Sequence, residues 1–158
     1  MTRRYAYSLG GSRAVDSAPL SKPKNTTILS SIQLDGTLRY TTFSGGTTVE
    51  RFKRYLETDL LPHLNGNSVL IMDNMKSHHA KAVKNLLDSS EIRYIYLPPY
   101  SPDLNPIEKL WSKVKSFLRK FKARTLDALP NTIQCAFQTV SPSNCSGWFH
   151  SCGYPPYF

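Results

Sequence analysis

The feature that most constrains the fold of this chain is a proline-dense segment that leads into a strongly amphipathic helix. Residues 97–108 read LPPYSPDLNPIE, and prolines at this density stiffen a loop and fix where the next segment points. After Asn105, a favourable N-cap, apolar residues recur at helical spacing as far as Phe121. Asn105 and Glu108 also have the capping-box spacing, which predicts a hydrogen bond from the cap backbone to the Glu108 carboxylate.

Strand and helix patterns alternate along the chain, and an Asp-Gly pair at Asp35 and Gly36 predicts a β-hairpin. In chain order, the patterns predict a short strand and loop within residues 3–15, strands at 26–33 and 38–43, a helix from Thr47 or Thr48 to about Leu64, a strand at 68–72, a helix at 79–87, a strand at 92–97, and helices at 105–121 and 125–140. Antiparallel strands followed by βαβ units predict a mixed α/β fold, and 158 residues are enough for one domain.

Charge narrows the class of partner. The formal net charge is +9, which favours a polyanionic partner, with nucleic acid ahead of an anionic membrane. No apolar run approaches the length of a membrane span, and the first residues do not resemble a signal peptide, so no membrane partner is expected. The three cysteines form no CxxC pair, which argues against zinc and favours a reduced, intracellular setting.

Two carboxylates have settings that suit a metal ion. Asp73 follows an apolar run at 68–72 that predicts a strand buried on both faces, and ligands bind beyond the carboxyl ends of such strands. Glu108 lies in the first turn of the helix after the proline-rich loop, from which it can reach the same site. Oxygen ligands suit Mg²⁺. Structural interpretations remain open for both, an Asx-turn for Asp73 and the capping box for Glu108.

Other polar residues near these carboxylates have weaker signals. His78 and His79 follow Asp73 and are interpreted as helix-start packing or phosphate contacts rather than as metal ligands. The polar face of the amphipathic helix is basic, and it either follows a DNA backbone or is a solvated helix face. The candidate DNA contacts on this face are Lys109, Lys113, Lys115, Arg119 and Lys120.

The motifs together resemble a known family. Residues 69–74 (VLIMDN) with His78 and His79, then residues 96–108 (YLPPYSPDLNPIE) and Trp111, closely resemble the catalytic core of mariner-like DDE transposases, most of all their bacterial insertion-sequence branch. The spacing of Asp73 and Glu108 is typical of the second and third acidic residues in that branch.

The resemblance implies an RNase H-like mixed sheet with flanking helices. It also implies two Mg²⁺ (or Mn²⁺) ions held by an Asp, Asp, Glu triad, in which Asp73 is the second member and Glu108 the third. The ions would activate water, and later a DNA 3′-hydroxyl, for attack on phosphodiesters. Transposon ends and target DNA are the implied partners, a homodimer is the implied assembly, and the prokaryotic cytoplasm, in association with the nucleoid, is the implied location.

One departure from the family pattern leads to a further expectation. The family's first Asp lies on a strand just before the segment that resembles residues 3–8, and this sequence begins at that point. Residues 1–158 are therefore expected to be a partial catalytic domain without the first, central strand and without the N-terminal helix-turn-helix region. Such a chain alone is expected to be inactive and poorly stable, because the loss of the central strand would leave strand edges exposed and split the core.

Three hypotheses about present function stay open. The first is a fragment of an insertion-sequence transposase. The second is a non-catalytic DNA-binding protein that interferes with a full-length transposase, and the third is another metal-dependent nuclease of the same fold.

Overall fold

The computed structural model describes residues 7–8, 10–15, 25–121 and 128–155. Its elements, in chain order, are β1 (Thr26–Ile32), β2 (Leu38–Ser44), α1 (Val49–Tyr55), β3 (Val69–Met72), α2 (Lys81–Ser89), β4 (Arg93–Tyr96), α3 (Ile107–Lys120), α4 (Ala128–Gln138) and α5 (Pro142–Ser151). A π-helical turn (Leu56–Leu60) and a 3₁₀ turn (Leu61–His63) continue α1, and a 3₁₀ turn (Pro102–Leu104) precedes α3. The prediction of a mixed α/β fold is confirmed. In the described ranges no helix is long and apolar enough to cross a membrane.

The predicted hairpin is present. Strands β1 and β2 pair antiparallel, with Ile32 opposite Leu38 at the turn. The Asp35 carboxylate accepts a hydrogen bond from the Thr37 backbone N–H at 2.8 Å, which holds the turn. Gly36 has a φ of +94°, and a Cβ there would lie 2.7 Å from Cα of Pro142. Glycine is therefore required at this position both by the backbone conformation and by the close approach of α5.

The second sheet consists of β3 and β4, which pair in parallel with Met72 opposite Tyr96. The side chain of Thr48 caps α1 by accepting a hydrogen bond from the Arg51 backbone N–H, as predicted. In the part of the chain that the structure describes, the two sheets are separate, each with two strands. The β1–β2 hairpin therefore has no backbone pairing with the β3–β4 pair.

Two hydrophobic clusters lie on opposite faces of β1. The first cluster joins α1, α2 and the inner face of β3–β4, and Leu29 of β1 packs against it. The second cluster joins α3 and α4, and Ile28 and Ile32 of β1 pack against it. Alternate residues of a strand point to opposite faces, so β1 contributes to both clusters. The buried residues of the first cluster are Phe52, Tyr55, Leu56, Leu60, Met72, Val83 and Leu87. Those of the second are Leu110, Val114, Leu118, Ile133, Ala136 and Phe137.

Several predictions about local structure are wrong. No side-chain hydrogen bond caps α3, so the predicted capping box of Asn105 and Glu108 is absent. A capping box forms instead between Ser141 and Asn144, at the start of α5, a helix that was not predicted. The β3 segment is not buried on both faces, because Val69 is 40% exposed.

Some predicted elements lie partly outside the described residues. Residues 7–8 and 10–15 contain no strand, and the remainder of the predicted strand within residues 3–15 lies outside the described residues. The first residues of the predicted helix at 125–140 also lie outside them, and α4 begins at Ala128 where the description resumes.

Candidate active site

Asp73 follows the last residue of β3, at the carboxyl end of the parallel pair. One carboxylate oxygen, Oδ1, accepts two hydrogen bonds, from the Met75 backbone N–H at 3.1 Å and from Nδ1 of His78 at 2.9 Å. The His78 bond is the main reason that the pKa of Asp73 is lowered, and the Met75 bond adds to it. The Met75 bond is the Asx-turn considered from sequence, so Asp73 has a structural role that leaves Oδ2 available.

The residues after Asp73 form a turn that two histidines and a tyrosine hold in place. The His78 ring is buried and stacks on Phe52, with ring centroids 4.2 Å apart. The His79 ring stacks on Tyr96 at 4.1 Å, and its Nε2 contacts the side-chain oxygen of Asn74. The Tyr96 hydroxyl donates to the backbone carbonyl of His78 at 2.9 Å. The sequence patterns placed Tyr96 in the predicted strand at 92–97 and in the motif at 96–108, but they indicated no contact for its side chain.

Glu108 lies in the first turn of α3 and is exposed. Its backbone N–H donates to the carbonyl of Asn105 at 3.1 Å, which fixes the helix start without involving the carboxylate. Among the described residues, no hydrogen bond or ion pair holds the Glu108 carboxylate. The capping explanation of this residue therefore fails, and both carboxylate oxygens are free to bind a ligand.

A contact from the C-terminal region supports the loop before Glu108. The Tyr154 hydroxyl donates to the carbonyl of Leu104 at 2.9 Å, and the Tyr154 ring packs edge-on against Phe149. The sequence patterns predicted no role for either of these two aromatic residues. Sequence periodicity could not reveal a contact between residues that lie so far apart along the chain.

Asp73 and Glu108 line the same cavity, which has a volume of about 430 Å³. Residues 27–32 of β1 and the following Gln33 form one wall and residues 69–73 form another, so the cavity runs along the edges of β1 and β3 that have no strand partner among the described residues. His78 and Asn105 lie at the same cavity. In the ranges that the structure describes, no group of three His, Cys, Asp or Glu side chains is close enough to hold a metal ion. Two carboxylates thus line this cavity, and each has at least one oxygen to which no described residue bonds.

The candidate DNA contacts on α3 differ from one another. Lys113 is half-buried, and its Nζ donates to the Thr139 carbonyl at 2.7 Å and to Oδ1 of Asn144 at 2.6 Å. This lysine therefore ties α3 to the junction of α4 and α5. The remaining four are exposed: Lys109, Lys115, Arg119 and Lys120.

The prediction of an RNase H-like fold is confirmed by solved structures of the Mos1 mariner system. A Mos1 mariner paired-end complex with Mn matches with a TM-score of 0.79 at 21% identity, over 96% of this chain and 48% of that chain. A Mos1 strand transfer complex matches with a TM-score of 0.77 at 20% identity, over 95% of this chain and 46% of that one. These likenesses establish the fold, and the chain spans about half the length of those proteins.

Sequence comparisons point in the same direction. The transposable element Tc1 transposase of Caenorhabditis elegans is 27% identical over 97 residues, which are 59% of this chain and 36% of the relative. The Tcb2 transposase of Caenorhabditis briggsae is 31% identical over 75 residues, 48% of this chain and 28% of the relative. The chain therefore spans about a third of the length of these relatives. The family model of the DDE superfamily endonuclease matches residues 1–130, and the chain belongs to that family.

Proposed function

We propose that the chain is the catalytic part of a transposase, in which Asp73 and Glu108 hold divalent cations for cutting and joining DNA. One observation carries the proposal: both carboxylates line one cavity, and each has an oxygen without a partner among the described residues. The relatives and the structural neighbours are transposases, which favours this activity over other endonuclease functions.

The donor set fits Mg²⁺ or Mn²⁺. Such ions prefer oxygen ligands, and Mg²⁺ commonly takes one or two protein carboxylates and completes its coordination with water and substrate phosphates. Asp73 supplies such a carboxylate at the carboxyl end of the parallel strand pair, and Glu108 supplies another from the first turn of α3. When bound, the cations would activate a hydroxyl nucleophile and stabilise the charge of the phosphodiester that it attacks. The protein would position the carboxylates and the DNA.

A further strand is part of the proposal. Phe52, near the start of α1, stacks on His78 beside Asp73 at the end of β3. Helix α1 begins just after β2, whose last residue, Ser44, pairs with Thr26 at the start of β1. The start of β1 therefore lies at the Asp73 end of the cavity, and β1 and β3 run in opposite directions.

The cavity has the surroundings that a central strand requires. Among the described residues, β1 and β3 each have one paired edge and one unpaired edge at the cavity, and an unpaired edge favours the addition of another strand. We propose that polypeptide upstream of this sequence supplies a strand parallel to β3. Its carboxyl end would then lie next to Asp73, where it can add the third carboxylate of the triad.

The test compares this chain with a longer protein that also contains the translated upstream DNA, on a labelled duplex with Mg²⁺ or Mn²⁺. We expect the longer protein to cut DNA and join it to a target, and the 158-residue chain alone to be inactive. Asp73→Asn and Glu108→Gln should each lower the cutting rate of the longer protein at least about a hundredfold, because a lost ligand removes several kcal/mol of transition-state stabilisation.

Cutting that survives either substitution would exclude that residue as a cation ligand. An upstream sequence that contains no apolar segment ending in a carboxylate would contradict the added strand.

A second candidate function is DNA binding without catalysis. It is favoured by the absence of a three-residue metal cluster among the described residues and by the exposed basic residues of α3. The affinity of the 158-residue chain for duplex DNA, measured with and without Mg²⁺ over a range of salt concentrations, separates the candidates. Affinity that falls steeply with salt and does not need Mg²⁺, together with an inactive longer protein, would favour binding alone.

A further inference from the structure

His78 is the buried polar residue of the described chain, and it touches a carboxylate that is itself half-exposed. Its side chain is 11% exposed, compared with 47% for that of Asp73. A polar ring is buried at a cost unless it forms hydrogen bonds. The hydrogen bonds that offset the burial of the His78 ring are made to Asp73.

The hydrogen bonds of His78 fix the position of its proton. Nδ1 lies 2.9 Å from Oδ1 of Asp73 and 3.3 Å from the backbone carbonyl oxygen of the same residue. Both oxygens are acceptors when the carboxyl is ionised, so Nδ1 carries the hydrogen and donates it. Oδ1 also accepts from the Met75 backbone N–H. Two donors thus hold one oxygen of Asp73, and no described residue bonds to the other.

We propose that His78 is a positioning residue that holds the Asp73 carboxylate in one orientation, with Oδ1 restrained and Oδ2 presented alone to a divalent cation. The inference rests on the proposed metal role of Asp73 and adds to it a mode of binding through one oxygen. A hydrogen bond that restrains a ligand in this way strengthens metal binding, because less rotamer freedom is lost when the ion binds.

The surroundings of His78 prevent the ring from moving away. Phe52, a buried residue of the first cluster, stacks on the ring at 4.2 Å. The Tyr96 hydroxyl holds the backbone of His78 to β4. The core therefore fixes the donor, and the donor fixes the carboxylate. A ring in this position is better placed to orient Asp73 than to contact a DNA phosphate.

Two substitutions separate orientation from packing. In His78→Asn the side-chain amide nitrogen takes nearly the place of Nδ1, so the donor is kept and the ring is lost. In His78→Phe the stacking surface is kept and the donor is lost. His79→Asn is the matched control, because His79 contacts Asn74 and not a proposed ligand.

The first measurement is Mn²⁺ affinity, from the electron paramagnetic resonance signal of the free ion in titrations of each variant. We expect His78→Phe to weaken binding about tenfold, and both His78→Asn and His79→Asn to stay within about twofold of the parent chain. Thermal unfolding of the same samples should show His78→Asn to be the less stable of the two His78 variants, because it loses the contact with Phe52. Parent-like affinity in His78→Phe would overturn the proposal and reduce His78 to a packing role.

The second measurement needs no metal. Three-bond NMR couplings to Cγ of Asp73 report whether its side chain occupies one rotamer. We expect one rotamer in the parent and in His78→Asn, and averaging in His78→Phe. A single rotamer in His78→Phe would overturn the positioning role. Parent-like Mn²⁺ affinity in Asp73→Asn would instead count against the proposed function, and the couplings would still decide the role of His78.

Discussion

The two candidate ligands of this protein are held in place in different ways. Asp73 is restrained through its side chain, by bonds from His78 and Met75 to one oxygen. Glu108 has no side-chain partner among the described residues, and its position depends on the backbone around Asn105 and on the packing of α3. The Asp73 carboxylate is therefore oriented by side-chain hydrogen bonds, whereas only the backbone of Glu108 is held in position.

This difference follows the two hydrophobic clusters. The Asp73 end of the cavity rests on the first cluster through Phe52, and the Glu108 end rests on the second cluster through α3. No strand pairs the two sheets in the described chain, and β1 connects the two ends by packing against both clusters. A substitution in one cluster should therefore destabilise one end of the site more than the other.

The largest expected effects come from truncating one cluster at a time. Leu87 and Leu110 are both fully buried, the first in α2 and the second in α3. Changing either to alanine leaves a cavity and should lower the free energy of unfolding by about 2–5 kcal/mol. Denaturant unfolding measures the total loss, and amide hydrogen exchange shows where protection is lost.

Leu87→Ala should weaken protection mainly in α1, α2 and β3, and Leu110→Ala mainly in α3 and α4. Each variant is the control for the other. Equal loss of protection across both clusters in either variant would show that the described chain unfolds as one unit, and it would break the comparison.

A smaller effect is expected from Tyr55, which links α1 to the hairpin. Its hydroxyl lies 3.0 Å from Oγ of Ser31 and 3.2 Å from the carbonyl oxygen of Arg39. Burial raises the pKa of Tyr55 from 10.0 to about 12, because the charged form is poorly solvated in the core. Because the folded state favours the neutral form of Tyr55, the contribution of this residue to the free energy of unfolding is complete below pH 10. That contribution is lost as the pH rises towards 12.

The loss over this range should be on the order of 2 kcal/mol in the free energy of unfolding. Tyr55→Phe should remove this part of the pH dependence and should cost about 1 kcal/mol at neutral pH through the lost hydrogen bond. Tyr100→Phe is the control, since that side chain is fully exposed. Identical alkaline profiles for Tyr55→Phe and the parent would show that another group is responsible.

The sequence was sufficient to predict most of the regular elements and the family, but it did not predict the contacts that support the site. Period and turn chemistry located both sheets and α1 to α4, because each depends on neighbours in the sequence. Helix α5 was not predicted, since its apolar residues follow helical spacing weakly, although Ser141 followed by Pro142 was a local signal of a helix start.

The prediction of a capping box at Glu108 was wrong. The spacing permits it, but the helix start is fixed by the carbonyl of Asn105, and the glutamate side chain is left free. No local pattern distinguishes these outcomes. The His78 ring that bonds to Asp73 also stacks on Phe52, which belongs to another element, and sequence alone suggested packing or phosphate contact for that histidine.

The smallest expected effect concerns the Glu108 end. Tyr154→Phe removes the hydrogen bond to the Leu104 carbonyl but keeps the ring against Phe149. The bond is exposed, so its loss should lower the free energy of unfolding by only about 0.5–1 kcal/mol. If the backbone alone positions Glu108, this loss should increase hydrogen exchange in the first turn of α3 and leave the Asp73 rotamer unchanged. A change at Asp73 of equal size would show that the two ends of the cavity are coupled, and that the two carboxylates are positioned together.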